Sequence, residues 1–374
     1  MSNFAFGTSK ITDFNQNHLQ ILRYGVESGI TTVVTSSNYT SGSSETAVGM
    51  MLESLQGSRA EDIEVISKYN LKQNLSEQLK LSCSRIGREA IDGYLIENPQ
   101  ELFYEAIKNG ISLDDRLDAI NSKFYDAFLE LELAVQSGKI TYYGVSSDAF
   151  SINHKSQYFL PYEDLVSLAD EAAQEVGNSQ HSLNIIELPI NMLEREGLKC
   201  ASWARQNNIR VLAKRPLNAK YGERFYRLAD YDEPYEYYYY LNELLELSEN
   251  DTLMGLYNLI LELDENKHKY SWIGDYEVFL YSEIIPYMKK SLEVLDDENT
   301  DTILGIIDMF LQEYKKMIKY ECSLKTRAEL KEVFLGCSES MQQCAFDFLL
   351  QQEDIDMVVV SMTKQSYIDE ISQK

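Results

Sequence analysis

"HLQILRYGVESGITTVV", His18 to Val34, reads as a helix, a stop and a strand. Leu19, Leu22 and Val26 recur at helical spacing, Gly29 breaks the helix, and the β-branched run ending at Val34 predicts a strand. The same alternation continues downstream. Helices predicted over 44–56 and 72–88, and a long one with Phe124, Phe128, Leu131 and Val135 on one face, alternate with "IEVISK", "DGYLIEN" and "ITYYGVSS". "FAFGT" precedes them, and "LNIIELP", "IRVLAK" and a distant "MVVVS" follow. These strands are apolar along their length, as parallel strands covered on both faces must be. Repeated β/α units of this kind predict an α/β fold, a (β/α)8 TIM barrel, whose functional residues lie at the C-terminal strand ends.

One connection is far too long for a plain αβ step. Between "VLAKRPL" and "MVVVS" lie about 140 residues where roughly 30 would do, and structureless loops of that size are rare in compact domains. The expected organisation is barrel strands 1–7 over residues 1–218, a mainly helical insertion between strands 7 and 8 over 219–330, and the last barrel unit with strand 8 over 331–374. The insertion opens on the acidic, tyrosine-rich "ADYDEPYEYYYYLNE" and gives helix patterns at 251–263, 275–294 and 301–320. In the last of these Ile303, Ile307, Phe310, Tyr314 and Met317 share a face, with Asp301 placed as N-cap. Such a stripe is expected to be core packed over the barrel. The alternative is a cap that binds a protein partner or covers substrate, because long loops at a barrel top carry function.

Composition excludes several classes. A formal charge of −26, from 60 acidic and 34 basic residues, argues against nucleic acid or an anionic membrane as partner, since both reward clustered Lys and Arg. No apolar run approaches a bilayer span, and "MSNFAFGTSK" lacks signal-peptide character, so a cytoplasmic location is the expectation. Five scattered cysteines without a C-x-x-C pair predict reduced thiols, and four histidines without H-E-x-x-H spacing predict no metal site.

"VTSSNYTSGSSE" (34–45), "VISK" (65–68), "IDGYLIENPQ" (91–100), "GKITYYGVSS", "IIELPINMLER", "VLAKRPL" and "VVVSMTKQSYIDE" fall in one order along the chain. Together they resemble the strand-end motifs of the aldo-keto reductases. The resemblance implies NADP(H)-dependent reduction of a small carbonyl substrate, with Tyr39 as proton donor and Lys68 as its cation. A developing alkoxide needs a donor and nearby positive charge. Two positions depart from the family pattern: Val34 stands where it has an aspartate, and Glu97 where it has a histidine. Glu97 is then expected to orient Tyr39 or Lys68. Ser146, Ser147 and Glu187 match positions around the nicotinamide amide, Lys214 that of a stacking aromatic, and Ser361 and Lys364 the phosphate end, with Arg215 as a further cation from the neighbouring strand. Two functions follow from different classes. One is an oxidoreductase with an altered tetrad, Tyr39, Lys68 and Glu97. The other is a barrel without redox turnover, retained as a binding or regulatory protein through its insertion.

Overall fold

The computed structural model describes residues 3–55, 57–246, 254–292 and 300–372. Strands β1 (Phe4–Gly7), β2 (Thr32–Val34), β3 (Glu64–Asn70), β4 (Ile91–Glu97), β5 (Ile140–Ser146), β6 (Leu183–Pro189) and β7 (Arg210–Lys214) pair in parallel around a barrel. A short antiparallel hairpin follows, β8 (Asn218–Tyr221) and β9 (Arg224–Arg227), and β10 (Met357–Ser361) then closes the barrel between β7 and β1. The (β/α)8 expectation holds, with β10 as its eighth strand.

Local chemistry places the helix ends between strands. Asn15 accepts from the backbone N–H of Asn17 and His18, Asn74 from Glu77 and Ser112 from Asp115, so the helices start just after these caps. The helix expected over 72–88 is therefore Leu75–Ile86, capped by Asn74 and ended by Gly87 at φ 73°. The one expected over 44–56 runs Ser43–Ser54, and residue 56 lies outside the described residues.

Side-chain alternation along the strands builds the barrel interior in levels. Ala5, Val34, Ile66, Leu95, Ile185, Leu212 and Val359 form one buried apolar cluster. Two residues before its members, a polar group closes the N-terminal end. Arg210 reaches Glu64 at 2.9 Å, Tyr142 donates to Glu64 at 2.6 Å and Thr32 donates to it at 2.9 Å. Two residues after them, on the same inward face, come Lys68, Glu97, Glu187 and Lys214. Polar chemistry thus sits at both ends of an apolar middle. Glycine lets two strands meet here: a Cβ on Gly144 would stand 2.1 Å from the Ile185 carbonyl oxygen.

Leu217–Asp347 form a second compact unit. Its helices include Tyr235–Glu246, Met254–Asn266, Ile273–Phe279, Ile285–Leu292 and Thr300–Glu329. The stripe Ile303, Ile307, Phe310, Tyr314 and Met317 is buried in a core belonging to this unit, with Tyr237, Leu241, Ile260, Tyr276 and Ile284. Parts of the expected helices, at 251–253 and 293–294, lie outside the described residues. Asp301, expected as a cap, falls inside a helix that already includes Thr300.

Residues 218–227, outside the expected helix patterns, form the β8–β9 hairpin. "NAKYGERFYR" pairs Tyr221 with Arg224 across a turn at Gly222, whose φ is 61°, and four-residue strands are too short to show a period. The reduced-thiol expectation fails for one pair, since Cys337 and Cys344 form a disulfide with their Cα atoms 6.2 Å apart. Cys83, Cys200 and Cys322 are free. No helix among the described residues is long and apolar enough to cross a membrane.

Candidate active site at the barrel mouth

Tyr39 stands on the loop after β2, in a turn that the backbone holds in an unusual shape. Thr40 and Ser41 have φ of 48° and 55°, and Gly42 follows at 91°. A β-branched residue in the left-handed region is strained, and such strain persists only where surroundings enforce it. The turn brings the Tyr39 hydroxyl to 3.3 Å from Nζ of Lys68, the upper inward residue of β3. Lys68 is only 1% exposed.

A charge buried this deeply requires a partner. Lys68 donates to Oε2 of Glu187 at 2.6 Å, reaching from β3 across to β6, and Glu187 is also 1% exposed. Ser146 donates to the same carboxylate oxygen. No described residue donates to the other oxygen, Oε1. Burial opposes the charge of both partners. For Lys68, the neighbouring Glu187, then Tyr39 and Glu97, outweigh it and hold the ammonium above its ordinary value. For Glu187, Lys68 and then Lys214 do the same, and the carboxyl is held below its ordinary value.

Glu97 is not a partner of Lys68 through a hydrogen bond. Its Oε2 accepts from Ser36 and from the Asn38 side chain, each at 2.7 Å, so its first task is to tie down the loop that carries Tyr39. It also adds negative charge beside the phenol. Burial raises the Tyr39 pKa, Lys68 pulls it down, and Glu187 and Glu97 push it up, leaving it above the ordinary phenol value. Tyr39 is therefore a protonated phenol at neutral pH.

The remaining predicted residues divide into a mouth group and an outlying pair. Lys214 donates to Ser146 at 3.1 Å and pairs with Asp148 at 2.9 Å. Arg215, at φ 57°, reaches Asp148 at 3.4 Å and Glu194 at 2.5 Å. Ser147 is buried and donates to Gln100 at 2.7 Å while accepting from the Ala149 N–H. Ser361 at the end of β10 is exposed and shares a hydrogen bond with Ser9 at 2.9 Å. Lys364 is exposed just before the helix Gln365–Ser372, with Nζ 5.9 Å from the Tyr367 ring centroid and no carboxylate partner among the described residues. Val34 packs in the apolar middle level, 1% exposed.

Sequence reasoning missed Asp148, Glu194 and Gln100. Asp148 directly follows the predicted Ser146–Ser147 pair, and Glu194 lies within the quoted "IIELPINMLER", so position beside a strand end was the available signal. Among the described residues no group of three or more His, Cys, Asp or Glu side chains is gathered as for a metal ion.

The aldo/keto reductase family model matches residues 3–236. An aldo/keto reductase of Klebsiella pneumoniae solved with NADP and acetate is 18% identical, with a TM-score of 0.40 over 57% of this chain and 64% of its own. The chain thus covers less than two thirds of that enzyme. An aldo-keto reductase from Bacillus halodurans in its holo form is 13% identical, and the glycerol dehydrogenase of Gluconobacter oxydans 16%. Each has a TM-score of 0.48 over 99% of this chain and 85% of its own. No curated protein matches significantly. The family match covers more than half of the chain and carries the Tyr39, Lys68 and Glu187 strand ends, so the chain belongs to the aldo/keto reductase family.

Proposed function

We propose that the barrel mouth reduces a small carbonyl substrate with NADP(H), Tyr39 giving the proton. The observation that carries this reading is the contact of the Tyr39 hydroxyl with a buried, charge-paired Lys68 at 3.3 Å. Reduction needs an acid that is protonated beforehand and a cation beside the oxygen that becomes negative. A phenol held above its ordinary pKa, next to a lysine held in its charged form, supports both needs. Alcohol oxidation would need the phenolate as base. The site therefore favours reduction near neutral pH.

The residues present fit the family's cofactor at its two ends. Oε1 of Glu187 is an acceptor with no described donor, suited with Ser146 to a carboxamide. Lys364 at the N-terminus of the helix Gln365–Ser372, with Ser361, suits a phosphate, because helix starts present unpaired N–H groups and positive potential. NADP(H), when bound, supplies the hydride. Ser147 and Arg215 are engaged within the protein, so they position neighbours rather than hold the cofactor.

The test is NADPH binding by nicotinamide fluorescence, then NADPH consumption with a panel of aldehydes and ketones. Tyr39→Phe should lower turnover by roughly 10²- to 10⁴-fold, the range of a positioned proton transfer, with cofactor affinity retained. The wild-type rate should hold steady through neutral pH and fall only as pH climbs above the ordinary phenol value of about 10, because Tyr39 must be protonated. A wild type that binds no NADPH would overturn this reading. It would leave the binding or regulatory protein, for which the separate core of Leu217–Asp347 and the exposed Tyr235 and Tyr239 on its surface speak.

A further inference from the structure

We infer that Glu187 is the positioning residue of this site, supplying from β6 the counter-charge for Lys68 that position 34 on β2 cannot give. The inference rests on the reading of Tyr39 as proton donor. Its geometry stands apart from it.

Three observations lead there. Val34 is level with Ile66 in the parallel register and belongs to the apolar cluster, so the β2 end offers Lys68 only hydrocarbon. Lys68 is the next inward residue of β3, one level up, and its Nζ must find charge there or lose its proton. Of the two carboxylates at that level, Glu97 spends its bonded oxygen on Ser36 and Asn38, while Glu187 accepts directly from Lys68. The ion pair spans the mouth from β3 to β6. It therefore fixes the ammonium from the side opposite Tyr39's own loop.

The pair is itself held. Ser146 on β5 donates to the same Glu187 oxygen, Lys214 on β7 donates to Ser146, and Asp148 after β5 balances Lys214. The titratable groups facing Lys68 are thus the neutral Tyr39 phenol on the loop after β2 and the carboxyl groups of Glu97 on β4 and Glu187 on β6. Lys214 and Asp148 form a neighbouring pair that adds little net charge. A glutamate where a glutamine would suffice for amide binding is explained by this second duty. One oxygen serves Lys68 and the other has no donor among the described residues.

The experiment follows Lys68 directly, by the ¹³Cε shift of labelled lysine against pH, with the resonance assigned by its loss in Lys68→Met. In the wild type the midpoint should lie above the ordinary lysine value of about 10.4. Glu187→Gln keeps an amide oxygen for the ligand but removes the charge, and the midpoint should fall by about two pH units or more, as for a desolvated lysine without its partner. Glu187→Asp should give a smaller fall in the same direction, and it carries the test if the glutamine variant does not fold. Glu97→Gln should move the midpoint less than Glu187→Gln. In the kinetics, Glu187→Gln should lower kcat by about 100-fold, as loss of acid activation does, with little change in NADPH affinity. A Lys68 midpoint that stays put in both Glu187 variants, or that moves more in Glu97→Gln, overturns the inference. A midpoint that falls as expected in a protein reducing no carbonyl leaves the counter-charge standing and removes the reductase reading instead. Turnover with an unmoved midpoint does the reverse.

Discussion

Lys68 and Glu187 are each costly alone and tolerable together, and this asymmetry sets what a single substitution does. Lys68→Met strands a buried carboxylate and should destabilise the protein by about 3–5 kcal/mol, whereas the paired change with Glu187→Leu should recover most of that loss in urea unfolding. The pH window follows from the two shifts. Lys68 is raised on folding, so its contribution is complete below the unfolded value of about 10.4 and is lost as pH rises through the folded one. Glu187 is lowered, so its contribution is present above the unfolded value of about 4.3 and is lost as pH falls through the folded one. The gap between wild type and Lys68→Met should then be widest between those limits and narrow in acid. A gap that is constant from pH 3 to pH 9 would show that packing rather than charge holds the pair. At this scale the sequence disclosed who was present but not who met whom. Tyr39, Lys68, Glu97 and Glu187 were legible from the motifs around them. The Lys68–Glu187 contact, 119 residues apart in sequence, was not, because only the curling of the sheet into a barrel brings β6 across the mouth from β3.

Among elements, the strands were the most readable, because a parallel strand buried on both faces needs an unbroken apolar run whatever its neighbours. Each quoted run became a barrel strand. The hairpin β8–β9 was unreadable for the opposite reason, with strands of four residues in which apolar and charged side chains mix without an unbroken apolar run. The long helix Thr300–Glu329 is intermediate. Its stripe announced burial, yet periodicity could not say against what, and the partner is the core of its own unit. Phe310 has no exposure and packs on Tyr237 and Tyr314 with ring centroids 5.8 and 5.7 Å away. Phe310→Ala should cost about 3–5 kcal/mol, through lost burial and an unfilled cavity. If that unit unfolds independently, two transitions should separate in the variant, the earlier one reported by tyrosine near-ultraviolet dichroism. A single transition that shifts as a whole would mean that barrel and unit unfold together.

Over the whole molecule the balance is −26, and it bears on any ligand with several negative charges. Near the mouth the cations Lys68, Lys214 and Arg215 are each tied to carboxylates, and Lys364 is the one described cation of the predicted set without an acidic partner. Attraction is therefore local and repulsion is global. Salt acts unequally on the two. A contact of a few ångströms lies well inside the Debye length of about 8 Å at physiological ionic strength, while the field of the whole chain reaches farther and is screened first. For a basic protein, added salt slows the arrival of an anionic ligand; here it should speed it. The association rate of NADPH, read by stopped-flow nicotinamide fluorescence, is expected to rise several-fold between about 10 and 150 mM salt, because the approach is made against a repelling field. Lys364→Gln should slow association and steepen that rise, since it removes the local attraction and leaves the repulsion intact. A rate that falls with salt in the wild type would mean that a cationic path guides the cofactor, and the assignment of Lys364 as the principal cation for the phosphate end would fail with it.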